Sequence, residues 1–471
     1  MIISNDLIDI GIWGEKEEKN MERERLGSRL GFLLLSAGCA IGIGNVWKFP
    51  YICGQYGGGA FVFIYIFFLI ILGVPVMTME FAVGRASRKS PVKLYSELAP
   101  KGSKWYIHGY LAMAGNYILM MFYTTVCGWM VQYFVEMARG SFVGKDATGV
   151  ANVFSDMLAN PVKLTIYMII VVVLGFYVNS IGLQNGLERV TKVMMLALMV
   201  IMVVLAVNSL FMDGGKAGME FYLKPDLQKM QEIGMGKVIV GAMNQAFFTL
   251  SLGIGSMAIF GSYIGKERAL MGEAVRVAFL DTFVALASGL IIFPACFAYG
   301  VQPDSGPSLI FITLPNIFNN IPMGRLWGSL FFVFMTFAAF STVLAVFENI
   351  LSCTADLFGW DRKKGCLLNG IIMIMLSMPC ILGFNVLSNI QPLGAGSGIM
   401  DLEDFIVSNL LLPGGSLVYV LFCMTRYGWG WDNFVKEANE GQGLKVAQWM
   451  RPYMTFVLPV IILIILIMGL I

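Results

Sequence analysis

The chain has 471 residues, of which 57% are apolar and only 13% charged, with a mean hydropathy of +0.75. So little polar surface cannot cover a soluble globule of that size, so the sequence reads as an all-α polytopic membrane protein whose first partner is the lipid bilayer. A net charge of +2, with no polybasic tail, leaves no nucleic-acid partner.

Runs long enough to cross about 30 Å of hydrocarbon are predicted at residues 30–52, 60–84, 107–136, 162–179, 190–211, 238–263, 273–300, 326–353, 366–384, 404–424 and 452–471, eleven spans in all. Before them, residues 1–27 are polar and charged, which predicts a cytoplasmic arm and no cleavable signal peptide. Lys16, Lys19, Arg23, Arg25 and Arg29 in that arm, and Arg85, Arg88, Lys89, Lys93, Lys101 and Lys104 after span two, place the N-terminus inside. An odd number of spans then puts the C-terminus outside a plasma (inner) membrane. The expected layout is an arm (1–27), spans one to five (28–211), spans six to ten (212–425), and an amphipathic segment with span eleven (426–471). The eight cysteines are scattered without CxxC spacing and read as small buried residues.

Span one contains "GCAIGIGNVWKFP", residues 38–50, with glycines at 38, 42 and 44. Each glycine costs about 1 kcal/mol against alanine in a helix, and irregular backbone at membrane depth is tolerated only where it lines protein or a wet cavity. Gly38 and Gly42 also form a GxxxG, so close helix packing explains part of the pattern. Span six carries a second break, "TLSLGIGS", with Gly253 and Gly255. Interrupted spans at matching places in two halves point to inverted repeats of five helices, with a solute site near the midplane. Unwound carbonyls suit a hard cation, and half-helix N-termini suit a carboxylate. Asn45, Thr249, Asp281, Ser341 and Thr342 lie at similar depth, where polar groups are costly unless used. Asp281 in particular needs a partner, a proton or a bound cation.

"SRLGFLLLSAGCAIGIGNVWKFPYICGQYGGGAF", "QAFFTLSLGIG", "FITLP" and "RYGWGWDNFVKEANEG" together resemble the neurotransmitter:sodium symporter family, in particular its bacterial eleven-span amino acid transporters. The resemblance covers the chain from about residue 22 onward. It implies a leucine-transporter-like fold and two sodium sites. The first would use the carbonyls of Ala40 and Thr249, the side chains of Asn45 and Thr249, and Asp281, completed by the substrate carboxylate. The second would use the carbonyls of Gly38, Ile41 and Ala338 with the hydroxyls of Ser341 and Thr342. Asp281 stands where many relatives have Asn, and Ala285 offers neither acid nor hydroxyl to a chloride site, so transport is expected to be chloride-independent.

For the substrate, the resemblance implies that the N–H groups near Ile43 and Gly44 and the phenol of Tyr123 hold a carboxylate. Carbonyls of Ala40, Phe248, Thr249 and Ser251 would accept from the α-ammonium, with side-chain contacts from Ile43, Leu119, Phe248, Ile254, Thr342 and Val346. Gly42 stands where amine-carrying relatives place an Asp, which favours a whole hydrophobic L-amino acid. A sodium-coupled amine or osmolyte carrier is the alternative reading, with an ion channel behind it. An enzyme is not expected, since the single histidine, His108, shows no metal or nucleophile partner in the sequence. The outer gate would pair Lys48 with Asp404, and the inner gate Arg23 with Asp356, assisted by Tyr263. Leu26 departs from the usual Trp, and Arg25 is a second candidate for the inner pair. Glu80 reads equally as a buried supporting carboxylate and as a surface acid. "WDNFVKEANEG" is expected to lie on the cytoplasmic face of the membrane.

Overall fold

In the computed structural model, residues 24–212, 214–300 and 308–470 are described. The arm residue Arg23 lies outside them. Every described regular element longer than an isolated bridge is a helix.

The first expected span is two helices, α1 (Arg29–Ala40) and α2 (Gly44–Gln55), bent by 54°. Next come α3 (Gly59–Ser87), the short α4 (Pro91–Leu98), α5 (Tyr106–Arg139), a surface helix α6 (Ala147–Ala159), α7 (Pro161–Ser180) and α8 (Leu183–Leu210). The connection between the fifth and sixth expected spans contains two short helices, α9 (Gly215–Leu223) and α10 (Leu227–Ile233).

The sixth span is also two pieces, α11 (Met235–Thr249) and α12 (Ser256–Tyr263). Then follow α13 (Leu270–Ala298), the shorter α14 (Leu309–Asn319), α15 (Gly324–Phe358), α16 (Arg362–Leu382), α17 (Ile399–Met424), the amphipathic α18 (Trp431–Ala438) and α19 (Met450–Met468). Among the described residues nine helices are long and apolar enough to cross a membrane, and the bent pair α1/α2 makes a tenth. The expected span at 238–263 falls short of that test because its two halves are separated by six non-helical residues.

The core is continuous. Helices α5 and α15 share the largest interface, and α1 packs between α13, α15 and α8. Both broken spans therefore run through the middle of the bundle, where freed backbone groups meet protein instead of lipid.

Helix α18 packs on the bundle itself. Its apolar residues Trp431, Phe434 and Ala438 are buried in protein. Its Glu437 takes the Arg85 Nε at 2.5 Å and its Glu437 carbonyl takes Arg85 Nη2, while Arg85 Nη1 reaches the Arg268 carbonyl at 2.8 Å. Satisfying a buried guanidinium at the end of α3 holds this helix against the bundle. All eight cysteines are buried and free, as expected.

Candidate functional site

The break in span one is made by diverting its own donors. A continuous helix would send the N–H groups of Gly42 and Ile43 to the carbonyls of Gly38 and Cys39. Here Gly42 N–H goes to Asn45 Oδ1 at 3.0 Å, and Ile43 N–H to the Tyr123 hydroxyl at 2.9 Å. The freed carbonyls turn to other helices. Thr342 Oγ1 lies 3.3 Å from the Gly38 and Ile41 carbonyls, and Ser251 Oγ donates to the Cys39 carbonyl at 3.3 Å.

Gly42 is required by space. A Cβ there would stand 2.1 Å from the Tyr123 hydroxyl and 2.6 Å from Thr342 Oγ1. Gly38 is also tightly packed, with a Cβ meeting Thr191 and Ser341 at 3.2 and 3.3 Å, so helix packing and chemistry share the glycine pattern.

Span six breaks at Leu250–Gly255, where Gly253 (φ 97°) and Gly255 (φ 77°) take left-handed backbone and Ser251 does so without being glycine (φ 51°). Glu80 holds this break. It is fully buried, and its Oε1 accepts from Gly253 N–H at 2.6 Å beside the N–H groups of Met257 and Ala258 that open α12. A carboxylate set against a half-helix N-terminus is favoured by the dipole and by the unpaired donors. The surface reading of Glu80 is therefore overturned.

Two oxygen-rich clusters flank the breaks. In the first, buried Asp281 of α13 accepts from Asn45 Nδ2 at 2.8 Å and from Thr249 Oγ1 at 3.1 Å, with the Tyr65 phenol beside it. Asn45 Oδ1 keeps a second lone pair after serving Gly42, so Asp281, Asn45 and Thr249 together offer oxygens of the kind a hard cation takes. In the second, Ser341 Oγ lies 2.9 Å from the Ala338 carbonyl and 3.4 Å from that of Ile41, next to Thr342 on the Gly38 carbonyl. Asn45, Thr249 and Asp281 of the first expected ion set are thus neighbours, as are Gly38, Ile41, Ala338, Ser341 and Thr342 of the second. Ala285 is buried and brings no polar atom.

At the span-one break lies a small cavity of about 20 Å³, bounded by Ala40, Gly44, Leu119, Tyr123, Phe248, Ser251 and Thr342, and also by Cys39, Gly42 and Leu412. Ile254 sits instead on a separate cavity with His108 and Gly415, and buried Val346 packs in the core. Ile43 borders a larger vestibule of about 230 Å³ with Trp47, Phe122, Asp401 and Asp404. Phe248 and Tyr123 belong to both spaces and form the partition.

Over that partition Lys48 Nζ lies 3.7 Å from the centre of the Phe248 ring, 3.4 Å from Asp404 and 3.3 Å from Ser408. A lysine here makes a cation–π contact and a single-point ion pair, without the fork of an arginine.

At the other end, Tyr263 donates to Glu348 at 2.6 Å and meets Ser352 at 2.8 Å, and Glu348 pairs with Arg362 at 2.5 Å. Arg362 also donates to the Asn179 carbonyl. Asp356 accepts from Ser90 N–H at 2.7 Å. The start of α1 is tied by Gly27 N–H and Ser28 Oγ to Glu188, and by Arg29 to Glu273. His108, which had no partner in the sequence, is bonded through Nδ1 to the Tyr95 hydroxyl at 2.7 Å. Glu348, Arg362, Glu188 and Leu412 were missed from sequence. Only the acid in mid-span "VFENIL" could have flagged the first of them.

A family model described as the sodium:neurotransmitter symporter family matches residues 23–153 and 148–471. The chain belongs to that family. It is 35% identical to the sodium-dependent transporter YhdH of Bacillus subtilis over 84% of this chain and 86% of the relative. To a sodium-dependent transporter of Haemophilus influenzae it is 30% identical over 96% and 99%. The crystal structure of MhsT in complex with L-phenylalanine superposes with a TM-score of 0.85 at 34% identity, covering 95% of this chain and all of that one. This family member is therefore a sodium-dependent membrane transporter with the leucine-transporter-like fold that its resemblance implied.

Proposed function

We propose that the protein imports a hydrophobic L-amino acid, aliphatic or aromatic, together with two sodium ions, by alternating access and without chloride. The observation that carries this reading is the carboxylate seat at the break of span one. The Tyr123 oxygen is already occupied by Ile43 N–H, which leaves the phenolic proton to donate to a substrate carboxylate. Gly42 leaves no room for an acidic side chain beside it, and no acid lines the central cavity. An amine lacking its own carboxylate would find nothing anionic there. MhsT, with L-phenylalanine bound, supports the same substrate class.

One sodium would sit with Asp281, Asn45, Thr249 and the substrate carboxylate, and the other with the carbonyls of Gly38, Ile41 and Ala338 and the hydroxyls of Ser341 and Thr342. Contact between the first ion and the carboxylate makes each raise the affinity for the other by the same factor. Each charge moved inward adds about 2.3 kcal/mol per 100 mV of membrane potential. Ionised Asp281 supplies the fixed negative charge that a chloride would otherwise bring. Lys48 with Asp404 would close the outer side and the Asp356–Tyr263 end the inner side.

Uptake in reconstituted vesicles tests this. Labelled phenylalanine or leucine should accumulate only with sodium outside, be displaced by hydrophobic amino acids and not by amines, and persist when gluconate replaces chloride on both sides. Loss of sodium-driven uptake in gluconate would refute chloride independence, and competition by amines alone would refute the substrate class.

A further inference from the structure

We propose that Leu412, on the tenth span, is a specificity-determining residue that limits the size of the substrate side chain. The inference rests on the amino acid reading above. Leu412 is 3% exposed and borders the central cavity together with Leu119 and Ser251. It is brought there by a backbone contact between α17 and the break in span six. A Cβ on Gly253 would fall 2.2 Å from the Leu412 carbonyl, and one on Gly415 would fall 2.0 Å from the Gly253 carbonyl. Two glycines facing each other thus let the tenth span approach closer than any pair of side-chain-bearing residues would allow.

The wall formed this way is thin. Beside it is a second cavity of about 230 Å³, bordered by Gly253, Ile254, Leu411, Gly414 and Gly415. A Cβ built on Gly414 meets nothing within 4 Å. Most of a close-packed interior answers a bulky intruder with strain. Here the segment carrying Leu412 lies beside that half-open cavity instead of a close-packed helix, so a large aromatic substrate can press the wall outward at less cost. The chemical class that benefits is the aromatic amino acids, ahead of valine and leucine. The carboxylate contacts would lie at the span-one break and the ammonium carbonyls at the two breaks, and none of them comes from the Leu412 side chain.

The test is a competition panel of valine, leucine, phenylalanine and tryptophan against one labelled amino acid, run on wild type, Leu412→Ala, Leu412→Phe and Gly414→Leu. Leu412→Ala should raise the tryptophan-to-valine affinity ratio by about tenfold, the scale set by one or two methylene groups in an apolar pocket. Leu412→Phe should lower it by a similar factor. Gly414→Leu, which fills the rear cavity without entering the central one, should weaken tryptophan selectively and leave valine unchanged. Sodium-dependent thermal shifts confirm folding, and Leu412→Val replaces any variant that fails. Wild-type rank order in every folded variant overturns the role of Leu412 while leaving the amino acid reading intact. Absence of competition by any amino acid in the wild type overturns both.

Discussion

Replacing Gly42 by alanine adds one carbon at the most crowded point of the site. That carbon would lie 2.1 Å from the Tyr123 hydroxyl and 2.6 Å from Thr342 Oγ1, so the phenol must swing away and give up its 2.9 Å bond from Ile43 N–H. Losing a hydrogen bond to a charged carboxylate costs about 1.5–3 kcal/mol, so the dissociation constant of the amino acid should rise by roughly 10- to 100-fold. Gly42→Asp carries the same clash and sets a carboxylate against the substrate's own, a like-charge contact in poorly solvated surroundings. It should abolish binding. Scintillation proximity binding of a labelled hydrophobic amino acid at saturating sodium measures both. Because the alanine acts by displacing Tyr123, the double variant Gly42→Ala/Tyr123→Phe should be no weaker than the worse single variant, a non-additivity expected of residues in contact. Wild-type affinity in folded Gly42→Ala, or strict additivity in the cycle, would refute the carboxylate seat.

Asp281→Ala removes the side-chain acceptor of Thr249 and one of the two acceptors of Asn45, at about 1–3 kcal/mol for a buried donor left unsatisfied; melting should fall and its sodium-dependent shift should shrink to what the second site supplies. Asp281→Asn keeps an oxygen without the charge, so it should bind sodium weakly and gain a response to chloride, read from the same melting curves with chloride or gluconate. An undiminished sodium shift in Asp281→Ala would take Asp281 out of the ion site. Glu437→Gln leaves the buried Arg85 without its countercharge and should cost about 3–5 kcal/mol, the scale for breaking a buried pair, seen as loss of detergent-stable protein. By contrast, Lys48 and Asp404 are both part-exposed, so Asp404→Asn should change stability by less than about 1 kcal/mol and show its effect instead as faster exchange of bound substrate.

Much of this protein was legible in the chain itself. Hydropathy over some twenty residues decides what crosses a bilayer, because backbone and side chains are priced against lipid one segment at a time. The glycine clusters at 38–44 and 253–255 are local faults that need no partner to be noticed, and Asp281 stands out because an acid at that depth demands an explanation. Asn45, Thr249, Ser341 and Thr342 followed from depth and from resemblance. What the sequence could not decide were contacts between residues far apart in the chain. Glu80 takes the Gly253 N–H across 173 positions, and Arg85 reaches Glu437 across 352. Glu348 joins Tyr263 to Arg362, and Leu412 reaches the cavity only because Gly253 and Gly415 let two backbones touch. A buried charge or a void takes its meaning from whichever helix lies against it, and only the packed bundle specifies that helix. For the same reason α18 is fixed to the bundle by Glu437 on the buried Arg85, with Trp431, Phe434 and Ala438 packed in protein.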